Sequence, residues 1–206
     1  MDLETLLLLL PIVLVSLTLH ELAHAWVAWR LGDPTARDQG RLTLNPLVHL
    51  DPLGTTMFIL TAVFANLPFG WARPVPVNPG YFRRPKEGMA IVAAAGPAMN
   101  FLLALLCLAV IRHVDLGLQA LEVAENAYIV NVVLGLFNLI PVPPLDGSRI
   151  IGVFMDRATY ARWIQLDQFG MLLVFGAFFI FQDEFSRLMI DALRNITEVM
   201  DVLVLA

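Results

Sequence analysis

Four stretches of about 20 mostly apolar residues, near 6–29, 88–111, 126–145 and 163–182, dominate this chain, and each is long enough to cross a hydrocarbon layer as a helix. Lipid offers no partners for backbone N–H and C=O groups, so runs of this kind must satisfy them internally. The fourth run is less clean, because Asp167 interrupts it. Composition agrees with lipid as the main solvent: 58% of the 206 residues are hydrophobic and 15% charged, where a soluble chain is about a quarter charged. The expectation is an all-α polytopic membrane protein folded as one unit over 1–206, with a core over 6–155 and accessory helices over 163–206; the length leaves no room for a separate soluble domain. The net charge of -5 comes with scattered basic residues and no basic stripe, so nucleic acid is not an expected partner. Cys107 is the one cysteine, sits in an apolar run and reads as a small buried hydrophobe.

The first thirty residues lack a basic leader and a small-residue cleavage site, and His20, Glu21 and His24 interrupt their apolar run, so they read as a retained helix rather than a signal peptide. A fifth charge-free run, 53–72, contains Gly54, Pro68 and Gly70 and leads into the proline-rich stretch Pro74 to Pro79. If it crossed the membrane, the loop with Arg73, Arg83, Arg84 and Lys86 would lie opposite the loop with Arg30, Arg37 and Arg41, against the positive-inside rule. If it dips in and returns, those residues share the cytoplasmic side with Arg149, Arg157 and Arg162. Re-entrant backbone survives at membrane depth only where protein covers it or water reaches it, so this segment is expected to border a wet site. Short strand-like stretches are expected around it, and the alternation Pro74-Val75-Pro76-Val77 could present a strand edge to an unwound peptide or be a plain proline-stiffened loop. The stretch 185–205 sets Phe185, Leu188, Leu193, Ile196, Met200 and Leu203 on one side at helical spacing. It reads as an amphipathic helix at the membrane surface, although a helix packed in an oligomer would show the same pattern.

Ionisable groups inside an apolar helix are costly and mark function. His20-Glu21-Leu22-Ala23-His24 is an HExxH motif, and residues four apart on a helix share a face, so both imidazoles can reach one ion with Glu21 beside them. Zinc suits two imidazoles and a carboxylate with one position open to water, and a nearby carboxylate can take that water's proton. At about 1.5 Å per residue, His20 lies roughly 15 Å from Arg30, near the middle of a layer about 30 Å thick. No metzincin continuation follows, since Val27 and Arg30 stand where that motif wants glycine and histidine. Among the remaining carboxylates Asp146 stands out, after Pro143-Pro144 and before Gly147, which would admit another backbone closely. The alternative is an ordinary helix-end carboxylate at the interface.

These motifs have a recognisable order. HELAH is followed by Asn45-Pro46, by His49-Leu50-Asp51-Pro52-Leu53-Gly54, by GWARPVPVNP from Gly70 to Pro79, by AGPAMN from Ala95 to Asn100, and by NLIPVPPLDG from Asn138 to Gly147. Together they resemble the site-2 protease family of intramembrane zinc metalloproteases over nearly all of 20–150. The resemblance implies that Asp146 is the third zinc ligand beside His20 and His24, that Glu21 is the catalytic base, and that Asn138 and Pro144 lie near the cleavage site. It implies a compact form without PDZ or other regulatory domain, acting on transmembrane protein substrates in a prokaryotic inner membrane, with the site opening toward the cytoplasm. Lipid is then a partner, and an oligomer is compatible with the pattern.

Two rivals remain in view from the sequence. A membrane-anchored gluzincin-like protease would use Glu87 as third ligand, in the solvated-looking loop Arg84-Pro85-Lys86-Glu87. A metal transporter or silent scaffold would need polar groups along a whole path, or no Glu21. His49 reads first as an interfacial polar residue, with second-sphere support or proton transfer as alternatives. Asn100, an amide inside an apolar helix, is expected to hydrogen-bond between helices.

Overall fold

The computed structural model describes residues 2–65 and 68–205. α1 (Leu3–Arg30) starts at Asp2, whose carboxylate accepts from the Thr5 N–H at 2.8 Å. It ends where Gly32 takes φ +104°, with Gly32 N–H on the Trp29 carbonyl at 3.0 Å and Asp33 N–H on Ala28 at 2.9 Å. This paired closure satisfies the last carbonyls, and glycine adopts the left-handed conformation without a Cβ penalty. A four-residue helix, α2 (Thr35–Asp38), follows. α3 (Pro52–Ala65), α4 (Pro85–His113) and α5 (Leu118–Asn138) come next, then the short α6 (Asp146–Gly152), α7 (Arg157–Gln165), α8 (Asp167–Ile180) and α9 (Gln182–Leu205).

Three of these, α1, α4 and α5, are long and apolar enough to cross a membrane. α1 and α4 match the first two expected runs, whereas α5 is displaced toward the N-terminus of the third, expected over 126–145, because Leu139 to Leu145 leave the helix as the proline-rich turn before α6. The fourth run divides at Leu166 into α7 and α8, and the 14 residues of α8 reach only about 21 Å at 1.5 Å per residue. Asp167 is the reason: it opens α8 and pairs with Arg149 of α6, so the helix begins at the ion pair rather than running through it.

α4 is the central helix. Gly135 of α5 lies against the Phe101 ring, where a Cβ would stand 2.9 Å from Cζ, so the two helices approach as only glycine permits. Ala104 and Leu108 of α4, Tyr128 and Val132 of α5 and Met200 of α9 form one apolar cluster, with the half-buried Cys107 packed against it. α9 turns Leu193, Ile196, Met200 and Val204 toward it, and the Tyr128 hydroxyl meets Thr197 Oγ1 at 2.5 Å. The packed stripe is thus narrower than the sequence pattern, because Leu188 and Leu203 face outward; the side chain of Phe185 lies outside the described residues.

Residues 46–78 fold as a hairpin. α3 borders a cavity shared with α1 and α5, and the chain beyond the undescribed residues 66 and 67 comes back along it, with the Phe69 ring edge-on to Phe137 of α5. Thr61 Oγ1 accepts from Phe69 N–H at 2.9 Å, Leu50 and Ala72 form an antiparallel bridge, and Arg73 N–H donates to the His49 carbonyl at 2.8 Å. Gly54 and Gly70 permit the approach: a Cβ on Gly54 would sit 2.9 Å from Trp71 Cγ, and one on Gly70 would sit 2.5 Å from the Gly54 carbonyl oxygen. The expected strand-like stretches reduce to that single bridge among the described residues. Pro74, Pro76 and Pro79 supply no N–H, so no ladder can propagate.

The return of the chain predicts a cross-link. Leu50→Cys with Ala72→Cys, in a Cys107→Ser background, should oxidise to a disulfide visible by gel mobility. Bridged antiparallel residues have Cα atoms about 4.5–5.5 Å apart, inside the disulfide range of about 4.4–6.8 Å. Leu50→Cys with Phe64→Cys, at the far end of α3, should stay reduced; a membrane-crossing 53–72 would leave the first pair reduced as well.

Candidate metal centre

His20 and His24 lie on the inner face of α1 and are 4% and 8% exposed. Their Nε2 atoms are 3.0 Å apart, and Asp146 Oδ2 is 3.3 Å from each. Asp146 reaches them as the first helical residue of α6, after a turn that contains a cis Pro143–Pro144 bond. Gly147 lets this turn fold back, because a Cβ there would stand 2.6 Å from the Ile140 carbonyl oxygen. The far end of α6 is held by Lys86, whose Nζ donates to the Met155 carbonyl at 2.5 Å. Trp163 Nε1 donates to the Ser148 carbonyl at 3.0 Å.

The protons on the two rings follow from a chain of hydrogen bonds. Asn131 Nδ2 donates to the Ala127 carbonyl at 2.8 Å and to Ser16 Oγ at 3.0 Å. A carbonyl can only accept, so the Asn131 amide is oriented and its Oδ1 accepts from Asn100 Nδ2 at 3.0 Å. Asn100 Oδ1 therefore faces His20 Nδ1, at 2.6 Å, and that nitrogen carries the hydrogen. His24 Nδ1 meets the Val92 carbonyl at 2.7 Å and carries a hydrogen for the same reason. With only these hydrogens on them, the rings would present bare Nε2 lone pairs to each other and to a carboxylate oxygen. Asp146 Oδ2 is buried and has no hydrogen-bond partner.

Three electron-rich atoms converging in a buried space repel unless a cation lies among them, as a proton on one ring or as a metal ion. His20, His24 and Asp146 are the one such group of His, Cys, Asp and Glu among the described residues. Two imidazoles with their Nδ1–H groups tied to oxygen acceptors, plus a carboxylate, are the donor set that zinc takes. Gly96 of α4 forms the wall behind the rings, and a Cβ there would sit 2.5 Å from His20 Nε2. Pro97 beside it lacks the N–H that α4 would otherwise use.

Glu21 is 8% exposed and points elsewhere, toward the hairpin: its Oε2 accepts from the Val75 N–H at 2.9 Å. Asn138 ends α5 with its Nδ2 on the Leu134 carbonyl at 2.9 Å, and Pro144 is exposed in the turn that delivers Asp146. Glu87 sits half-buried in the first turn of α4, outside the three-residue group. His49 differs from its expected place at a solvated interface. It is 2% exposed inside the hairpin, with Nε2 on the Thr43 carbonyl at 3.0 Å, and it does not belong to the metal group. Asn100 bonds between helices as expected, and its partners give it a further task in orienting His20. Asn131 and Ser16 were not singled out in the sequence, and Gly96 and Val75 entered only as members of the stretches AGPAMN and Pro74 to Val77, without the contacts described here. Gly96 and Asn100 are four apart and so share a face, and Asn131 is another amide in an apolar run; both signals were present there.

The profile described as Peptidase family M50 matches residues 112–182. The Bacillus subtilis (strain 168) protein named "Putative zinc metalloprotease YwhC" is 42% identical over 171 residues, covering 78% of this chain and 75% of that protein. The "Putative zinc metalloprotease Rip2" of Mycolicibacterium smegmatis is 32% identical over 166 residues, covering 78% of this chain and 62% of its own length. "Zinc metalloprotease MJ0392" of Methanocaldococcus jannaschii is 25% identical over 146 residues, 71% of this chain and 34% of that protein. The chain thus spans under two thirds of the mycobacterial relative and about a third of the archaeal one. No solved structure matches the chain. A buried pair of imidazoles facing a carboxylate, together with relatives of this identity and coverage, means that the chain belongs to peptidase family M50.

Proposed function

We propose that this chain hydrolyses a peptide bond in or near a transmembrane helix of a membrane protein, with zinc held by His20, His24 and Asp146 and with Glu21 as the base. The class, a zinc-dependent metalloprotease in an integral membrane protein, follows from the family, the names of the relatives and the three apolar helices. The observation that carries the finer reading is the convergence of two Nε2 lone pairs and an unpartnered carboxylate oxygen on a helix apolar enough to cross a membrane.

Zinc, when bound, acts as a Lewis acid that polarises the scissile carbonyl and acidifies a water toward a pKa of about 7. The chain's own groups do the rest. Asn100 and the Val92 carbonyl keep the rings turned with Nε2 inward, and Asp146 brings the negative charge that two neutral imidazoles lack. Glu21, one position beyond His20 and outside the ligand set, takes the proton of the attacking water and delivers it to the leaving nitrogen. Asn138 and Pro144 flank the approach to Asp146 and are read as substrate contacts. A substrate helix hides its carbonyls in its own hydrogen bonds, so it must unwind locally, and the hairpin beside Glu21 offers an extended segment to receive it.

The site is read as opening toward the cytoplasm of a prokaryotic inner membrane. Because the chain returns at Leu50–Ala72, Arg30, Arg41, Arg73, Arg84 and Lys86 lie at one end of the bundle, as the positive-inside rule asks. The rival use of Glu87 as a ligand is disfavoured by its position outside the group.

Four outcomes test this reading. Asp146→Asn is expected to lower zinc content and proteolysis of a co-reconstituted transmembrane reporter together, whereas Glu87→Gln leaves both near wild type; Gly96→Ala should abolish zinc uptake, because its methyl would collide with the Nε2 atoms of both rings and displace them. Glu21→Gln should keep zinc, measured by metal analysis, and lose proteolysis by at least about a hundredfold, the usual size of a lost general base. Orientation is read by labelling single cysteines from outside intact cells. Asp115→Cys should react and Arg84→Cys should not; the opposite pattern would remove the cytoplasmic assignment.

A further inference from the structure

Residues 73–79 read Arg-Pro-Val-Pro-Val-Asn-Pro, so only Arg73, Val75, Val77 and Asn78 carry an N–H. The two outer ones are anchored. Arg73 N–H donates to the His49 carbonyl at 2.8 Å while its own carbonyl accepts from Arg41 Nη2 at 2.5 Å. Asn78 N–H donates at 2.6 Å to Asp33 Oδ2, a carboxylate with no exposure. Between these anchors, Val77 N–H donates to none of the described residues, and Val75 N–H has a single acceptor, Glu21 Oε2 at 2.9 Å.

In an extended segment, donors two residues apart lie along one edge, about 6.6 Å from each other. Pro74 and Pro76 leave the opposite edge with no donor. An incoming extended peptide therefore finds N–H groups only on the edge that carries Val75 and Val77, and Val75 is already engaged by the group assigned above as the base. Pairing there requires the peptide's carbonyl to take the Val75 N–H from Glu21. A helix cannot do this, because its carbonyls are occupied; an unwound segment can.

Resting on the reading of Glu21 as the base, we propose that the Val75 N–H is a substrate-binding donor that Glu21 occupies until a peptide arrives, so that pairing of an extended substrate segment with Val75 frees the carboxylate. The exchange keeps each buried polar group partnered in turn: Glu21 by Val75 at rest, then by the attacking water, and Val75 by the substrate carbonyl. It also couples base release to the correct backbone conformation, so the site discriminates extended segments from intact helices.

The test uses the zinc-loaded full chain in detergent and two chelating probes, a leucine-rich peptidyl hydroxamate with a backbone able to pair and acetohydroxamate with none. Val75→Pro removes the N–H, and Val75→Ala keeps it while trimming the side chain. Val75→Pro is expected to weaken the peptidyl hydroxamate about tenfold relative to Val75→Ala and to leave acetohydroxamate within about twofold, the scale of one hydrogen bond. Unchanged zinc content in both variants confirms an intact centre. Equal weakening of both probes would mean that the N–H only positions Glu21, and no weakening of either would mean that the peptide does not pair here; each overturns the proposal. In a structure of the peptidyl hydroxamate complex the Val75–Glu21 bond should be broken, and its persistence at hydrogen-bonding distance would likewise overturn it. Wild type that takes up zinc but binds neither probe would refute the proteolytic reading itself, and this inference with it.

Discussion

Two imidazole lone pairs and a carboxylate oxygen held within 3.3 Å of one another are a repulsive arrangement, and much of the fold exists to enforce it. Left to themselves, the rings would rotate to turn an N–H toward Asp146. They are prevented because each Nδ1 is bound to an oxygen that can only accept in that position, Asn100 Oδ1 for His20 and the Val92 carbonyl for His24. The orientation of Asn100 traces back through Asn131 to one backbone carbonyl, Ala127, on α5. α1, α4 and α5 must therefore be in register for the centre to have its electron-rich character. A buried polar chain of this kind is stabilising only when every member is satisfied, and here each donor from Asn131 to His20 has its acceptor.

The same helices supply the space. Gly96 allows α4 to pass directly behind the rings, Gly135 allows α5 to close on Phe101, and Gly147 lets the turn before α6 fold back on the end of α5. With little hydrophobic drive between helices in lipid, close packing and interhelical hydrogen bonds carry the association, and small residues are what permit both. α6 is short, but its ends are held by Lys86, Trp163 and the Arg149–Asp167 pair, so Asp146 is carried on a fixed element rather than a free loop.

The hairpin over 46–78 has a different physical character. Its root is tied by Arg41, His49 and Asp33, and its prolines deny it a sheet partner on one edge. Its one donor to the centre is Val75, through Glu21. The segment beside Glu21 is thus held by polar bonds at its two anchors and by Val77, which packs against Ala28, Phe82 and Val92.

Much was legible along the chain because lipid imposes simple rules. Apolar runs of sufficient length become helices, so α1 and α4 were readable within a few residues, whereas α5 stops at Asn138, before Pro141, Pro143 and Pro144, and begins well ahead of the expected run. The spacing in His20-Glu21-Leu22-Ala23-His24 put both imidazoles on one face, and the basic residues favoured a return of 53–72 over a crossing. Helical periodicity overstated the packed face of α9, since a pattern cannot say which apolar residues meet protein and which meet lipid. It also carried the fourth run past Asp167, whose partner Arg149 lies 18 positions earlier and is visible only once α6 is folded. Amino-acid sequence by itself determined the α1 and α4 spans, the HExxH pair and the candidacy of Asp146, because each rests on local periodicity, composition or motif. Only the tertiary structure decided the ring tautomers, the role of Gly96, the seclusion of His49 and the bond from Val75 to Glu21. Each of those depends on atoms from elements far apart in the chain, whose meeting is set by how closely the helices can pack.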